Sequence, residues 1–298
     1  MLDRESTFAD PEILQMLRDQ FVPVAIDQWY TRRQQVTEGD FYRKIAGQSP
    51  RNDFSRTTQG LYIADPAGRL YFYNNNRGPD RIRRFMRETL AAYQAPDVEP
   101  LQRESTDARY VTQPSEGTAV VRSSARIPEG YLTTDDLWQK IFQTAISRDN
   151  LWITPDEQTE LLADRVPERL IRRIARFHLV DNTRGQPDSW ALEEIQSLEM
   201  TIVDGRISGR VVLESKDGKR GYDVTLEGIV SGTTGRVERF DLLAVGKFFG
   251  SGQYTLQAPP GRFPLEISFQ LVDGSDTADR IPPHASRGWL DGYLYPER

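Results

Sequence analysis

The spacing of apolar positions changes character several times along the chain. From Asp10 it is helical. Ile13, Leu14 and Leu17 form a stripe, Thr7 or Asp10 is placed to cap it, and Pro11 sits in the first turn. The run FVPVAID, residues 21–27, has no polar face and predicts a short strand buried on both sides. TEGDFYRKIAGQ predicts a second helix with Phe41, Tyr42 and Ile45 inward and Gly47 near its end. LYIADPAGRLYFYNN predicts a hairpin turning at Asp65-Pro66-Ala67-Gly68, and DRIRRFMRETLAAY predicts a closing helix. Residues 94–117 are polar, contain prolines and show no period, which marks a linker between a first domain, 1–93, and a second, 118–298.

In the second domain TAVVRSSARI predicts an edge strand. TTDDLWQKIFQTAI predicts a helix capped by Thr133 or Thr134, with Asp135 and Asp136 in its first turn. TPDEQTELLA carries a capping box: Thr154 at the cap, Pro155 next, Glu157 three residues on. PERLIRRIARF predicts another helix. From LEMTIVDGRISGRVVLE onward the period falls to two, with Asp204-Gly205 as a hairpin turn and Tyr222, Val224, Leu226, Phe240 and Leu242 alternating. The prediction is an α+β domain with a curved antiparallel meander of about five strands.

The order of elements in 1–93 is helix, strand, helix, hairpin, helix. DRESTFADPEILQMLRDQFVPVAID resembles the spermatogenesis-associated type of thioredoxin-like domain, in which a dithiol leads into an E-S-x-F-x-D-x-E helix and a strand ending in Asp. GLYIADPAGRLYF resembles the strand–turn–strand after the cis-proline of such folds. The resemblance implies an α/β thioredoxin-like N-terminal domain without its first strand, and a redox origin. The chemistry that goes with it is missing. The 298 residues include no cysteine, and the implied cis-proline position reads Thr57-Thr58-Gln59-Gly60. A Cys pair upstream of Met1 would revive an oxidoreductase; without one the expectation is a redox-inactive binding or assembly module.

Composition narrows the remaining classes. No window approaches the length of a membrane-spanning helix, and the N-terminus lacks a signal-type apolar core, so the expected location is cytoplasmic. The net charge of −6 disfavours nucleic acid. Arg169, Arg172, Arg173 and Arg176 share a helical face, read as solvated, with an anionic partner site as the other reading. The expected partner is a protein or small ligand, a second copy of the chain included. No cofactor and no metal are expected.

Three groups of residues are candidates for function. Trp29 and Tyr30 followed by Arg32 and Arg33 could stack on and neutralise a ligand. His178 and His284 are the only histidines; with Asp181 they could form an acid–base or facial metal site in an enzyme located in the C-terminal domain. The loop VGKFFGSGQYTLQAPPGRFP could frame a pocket walled by Phe248, Phe249 and Tyr254.

Overall fold

The structure, a computed structural model, describes residues 6–76, 78–102 and 114–297. The chain divides into two compact units near residue 112.

The N-terminal unit contains α1 (Pro11–Asp19), a short α2 (Gln28–Thr31), α3 (Thr37–Ala46), the hairpin β1 (Leu61–Ala64) and β2 (Leu70–Asn74), and α4 (Pro79–Ala92). Asp10 caps α1 by accepting from the amides of Glu12 and Ile13. Asp65 holds the hairpin turn by accepting from the Arg69 amide, and Gly68 takes the positive φ (79°) that the turn requires. A small core joins Ile13 and Met16 to Phe72, Ile82 and Met86. Leu14 faces outward, so the stripe of α1 is Ile13, Met16 and Leu17.

The strand expected at residues 21–27 does not form. Residues 21–26 have no regular secondary structure, with Val22, Val24 and Ile26 exposed at 88%, 71% and 47%. An apolar run is buried as a strand only when neighbouring strands accept its amides and carbonyls. The sheet described here has two strands, β1 and β2, and neither pairs with this segment.

The C-terminal unit is built on a seven-stranded antiparallel sheet among the described residues. Its strands are β3 (Ala119–Arg126), β4 (Asp149–Ile153), β5 (Ile195–Val203), β6 (Arg206–Glu214), β7 (Gly221–Thr233), β8 (Arg236–Phe249) and β9 (Arg262–Leu271). They lie in the order β4-β3-β9-β8-β7-β6-β5, so the five-strand meander extends across β9 to two earlier strands. β3 is therefore an interior strand, not an edge; the edge position belongs to β4, which residues 149–153 form without any alternation to announce it. Asp204 and Gly205 both take positive φ at the β5–β6 turn, the geometry a two-residue hairpin needs. Tyr222, Val224, Leu226, Phe240 and Leu242 all point into one core.

The helices α5 (Leu137–Thr144), α6 (Pro155–Leu162) and α7 (Glu168–Arg173) precede the meander. The cap of α5 is Asp136, which accepts from the Gln139 amide, in place of Thr133 or Thr134. α6 has its capping box between Thr154 and Glu157. α7 passes into a π-helical turn, Ile174–His178, closed by the Leu179 amide on the Ile174 carbonyl. A last short helix, α8 (Leu290–Leu294), follows a segment with little regular structure.

Candidate functional site

Both histidines converge on a residue that sequence spacing does not single out. Asp149 opens β4. One of its carboxylate oxygens accepts from the amides of Asn150 (2.9 Å) and His284 (3.0 Å). The other lies 3.6 Å from His178 Nδ1. The opposite ring nitrogen, Nε2, is 3.0 Å from the Tyr293 hydroxyl, which in turn accepts from the Trp152 amide. The π-helical turn makes this possible, because the extra residue in the turn brings His178 round toward β4. Asp149, His178 and Tyr293 thus stand in relay order, with a hydrogen bond on the Tyr293 side and only a 3.6 Å approach, too long for one, on the Asp149 side.

The surroundings decide what this relay can do. The His178 side chain is 0% exposed and that of Asp149 13%. Burial pushes the Asp149 carboxyl up to about 6, against the lowering effect of the two amides and Arg287. Burial, reinforced by the charges of Arg173 and His284, pushes His178 down to about 3. Burial raises the Tyr293 hydroxyl well above its ordinary value. A nucleophile needs the opposite shift and a path to substrate. Asp181 takes no part: it accepts from Thr183 and pairs with Arg184 at 2.8 Å.

Neighbouring side chains show the same pattern of tying irregular backbone down. Arg173 pairs with Glu157 at 2.5 Å and donates to the carbonyls of Trp152 and Leu294. Arg176 donates to Trp190 O and Pro296 O. Asn150 donates to Ala278 O and Ile281 O. Arg173 and Arg176 are buried, so the solvated arginine face is confined to Arg169 and the half-buried Arg172. Together these residues fasten the C-terminal segment over the edge strand β4, whose outer side would otherwise be open.

The Gly-rich loop is held in the same way. Arg184, fully buried, donates to the carbonyls of Gly250, Thr255 and Leu256. Phe248, Phe249 and Tyr254 do not share a pocket. Phe248 is in the core beside Tyr222 and Phe263, Phe249 carries the Arg262 guanidinium on its ring, and Tyr254 is exposed.

In the N-terminal unit Trp29, Tyr30, Arg32 and Arg33 form a local knot. The Arg33 guanidinium lies 4.1 Å over the Trp29 ring and donates to the Trp29 carbonyl. Tyr30 is buried against the edge of Trp29. Arg32 is buried, donating to Gln28 Oε1 and the Arg56 carbonyl. Gln28 Oε1 also accepts from Thr58, which bonds the Tyr42 hydroxyl at 2.7 Å. The helix α2 and the Thr57–Gly60 stretch are thereby joined.

A well-formed cavity lies elsewhere. It has a volume of about 560 Å³ and lies at one end of the C-terminal sheet, where β3 and β8 begin and β4 and β9 end. Val120, Val237, Leu271 and Trp152 line it, as do Arg236, Arg280, Asp273 and Asp279. None of the candidate residues named from sequence lines it. No ion pair joins Arg236 or Arg280 to a described residue, whereas Asp279 is held by Arg122 and Arg148. No local sequence signal marks this cavity, because its walls come from four strand ends spread between Ala119 and Leu271. No family model, no curated protein and no solved structure matches this chain, so the functional reading rests on this geometry.

Proposed function

We propose that the chain is a non-catalytic binding protein whose C-terminal, β-rich unit carries the ligand specificity. The N-terminal unit, read as a thioredoxin-like domain without dithiol or cis-proline, serves as a structural or partner-binding module. One contrast supports the reading: the relay of ionisable groups is sealed and tied to backbone, while the cavity at the sheet end is open and lined by apolar strand ends and two arginines with no ion partner among the described residues. Ligand pockets have this composition, a mainly apolar wall with a few placed polar groups, and ~300–1,000 Å³ is their usual range.

The test is a thermal-shift panel of small molecules of varied charge, followed by chemical recovery of whatever raises Tm. The expected result is concentration-dependent stabilisation, with the compound recovered unchanged from wild type and from His178→Gln alike. Consumption of a bound compound by wild type, lost in His178→Gln, would overturn the reading. That outcome would favour a second one, an enzyme using the Asp149–His178–Tyr293 relay, whose supporting observation is the 3.0 Å contact between His178 and Tyr293.

A further inference from the structure

We infer that the cavity takes a small organic anion, a carboxylate or phosphate group on a short apolar body. The inference rests on the binding reading above and adds the chemical class of the ligand.

Local charge sets this cavity apart in a chain that is acidic overall. The protein carries −6, yet the charges around this cavity do not follow that balance. Asp279 accepts from Arg148 at 2.5 Å and Arg122 at 3.1 Å, so two guanidinium groups face its carboxylate. Arg148 also reaches Asp276 at 2.7 Å. Asp273 is turned into its own loop, accepting from the Ser275 amide at 2.9 Å. Arg122 and Arg148 thus balance Asp276 and Asp279, and Arg236 and Arg280 outnumber the one remaining carboxylate, Asp273.

Both arginines are exposed residues that line the cavity. A planar guanidinium offers two parallel donors that match a carboxylate or a phosphate face. One wall is Val120, Val237 and Leu271, with the edge of the buried Trp152. Such a wall is mainly apolar and carries no charged group, so it suits the apolar part of the molecule. A neutral apolar compound would leave both arginines unused; a bare anion would leave the wall wet.

Four compounds separate these terms: hexanoate, hexyl phosphate, hexanol and inorganic phosphate, titrated into the full chain by calorimetry at low ionic strength. Hexanoate or hexyl phosphate is expected to bind, with hexanol and inorganic phosphate each at least about tenfold weaker. Arg236→Gln and Arg280→Gln are each expected to weaken the better anion by roughly 10–100-fold, and added salt to weaken it further. Both side chains are exposed, so the variants keep the wild-type circular dichroism and melting curve.

Hexanol binding as tightly as hexanoate, unchanged in both variants, would overturn the anion assignment and leave the binding reading standing on an apolar pocket. Anion binding that survives both substitutions places the site elsewhere and overturns the inference. So does the absence of heat with all four compounds at millimolar concentration; the binding reading is then decided by the thermal-shift panel alone. Inorganic phosphate matching hexyl phosphate, with both lost in the variants, removes the apolar body from the assignment and likewise overturns it as stated.

Discussion

The C-terminal unit treats its charged side chains in two opposite ways. Around β4 and the π-helical turn, Arg173, Arg176, Asp149 and His178 are withdrawn from water, and their hydrogen bonds go to backbone or to one another, with Arg173 Nε and His178 Nδ1 left over. At the sheet end, Arg236 and Arg280 face solvent with no ion partner among the described residues. Burying a charge costs several kcal/mol, which hydrogen bonds and a counterion must offset. The first group is committed to holding the fold together. The second is free to act on something else.

The contrast breaks most visibly at Glu157. Its carboxylate pairs with the fully buried Arg173 and also closes the capping box of α6. Glu157→Ala leaves a guanidinium buried with no counterion, and the expected loss is about 3–5 kcal/mol. Urea unfolding followed by tryptophan fluorescence reads it, since four of the five tryptophans, 138, 152, 190 and 289, lie in this unit. Thr154→Ala, which removes only the cap, should cost about 1 kcal/mol. Equal losses in the two variants would mean that the ion pair adds nothing beyond the cap.

A smaller effect, but one of opposite sign in two variants, lies at Asp149 and His178. The folded chain keeps His178 neutral down to about pH 3, while the unfolded chain protonates it below 6.5, so this group removes stability as pH falls from 6.5. The folded chain keeps a proton on Asp149 up to about pH 6, while the unfolded chain releases it above 3.8, so this group removes stability as pH rises from 3.8 to 6. Between about pH 4 and 6 the two slopes oppose and the wild type should be nearly flat in this contribution. Asp149→Asn leaves the histidine slope, and stability should fall toward acid. His178→Gln leaves the carboxyl slope, and stability should fall toward neutral pH. Each slope is bounded by one proton, about 1.4 kcal/mol per pH unit. Stability curves with parallel slopes in the two variants would rule out this assignment of the charges.

Much of the fold was legible in the sequence because its signals are local. Asp65-Pro66-Ala67-Gly68, Asp204-Gly205 and the Thr154–Glu157 box each specify a turn or a helix start within four residues, and the structure has all three. The meander was legible from alternation. The fastening of the C-terminal segment was not. Asp149 meets His284 across 135 positions, and nothing near either residue announces the pairing. Buried arginines are equally silent, because their acceptors are backbone carbonyls, which every residue carries. Strand β4 spans five residues with four consecutively buried, too short to show a period; the run NLWI just before a capping box was the available hint. The stretch 21–27 departs from its pattern for a related reason: its composition suits a strand, but composition does not supply partners.

That stretch extends the contrast from charges to apolar side chains and gives the smallest effect. Val24 and Val224 are the same residue in open and sealed settings, one 71% exposed in irregular chain, the other 1% exposed in β7. Replacing a methyl by a hydroxyl is nearly isosteric, so burial alone separates the two outcomes. Val224→Thr places an unpaired hydroxyl in the core and is expected to cost about 1–3 kcal/mol. Val24→Thr should change stability by no more than about 0.5 kcal/mol. A cost at Val24 comparable to that at Val224, measured by urea unfolding of the full chain, would mean that residues 21–26 are covered in solution and that the strand reading was right after all.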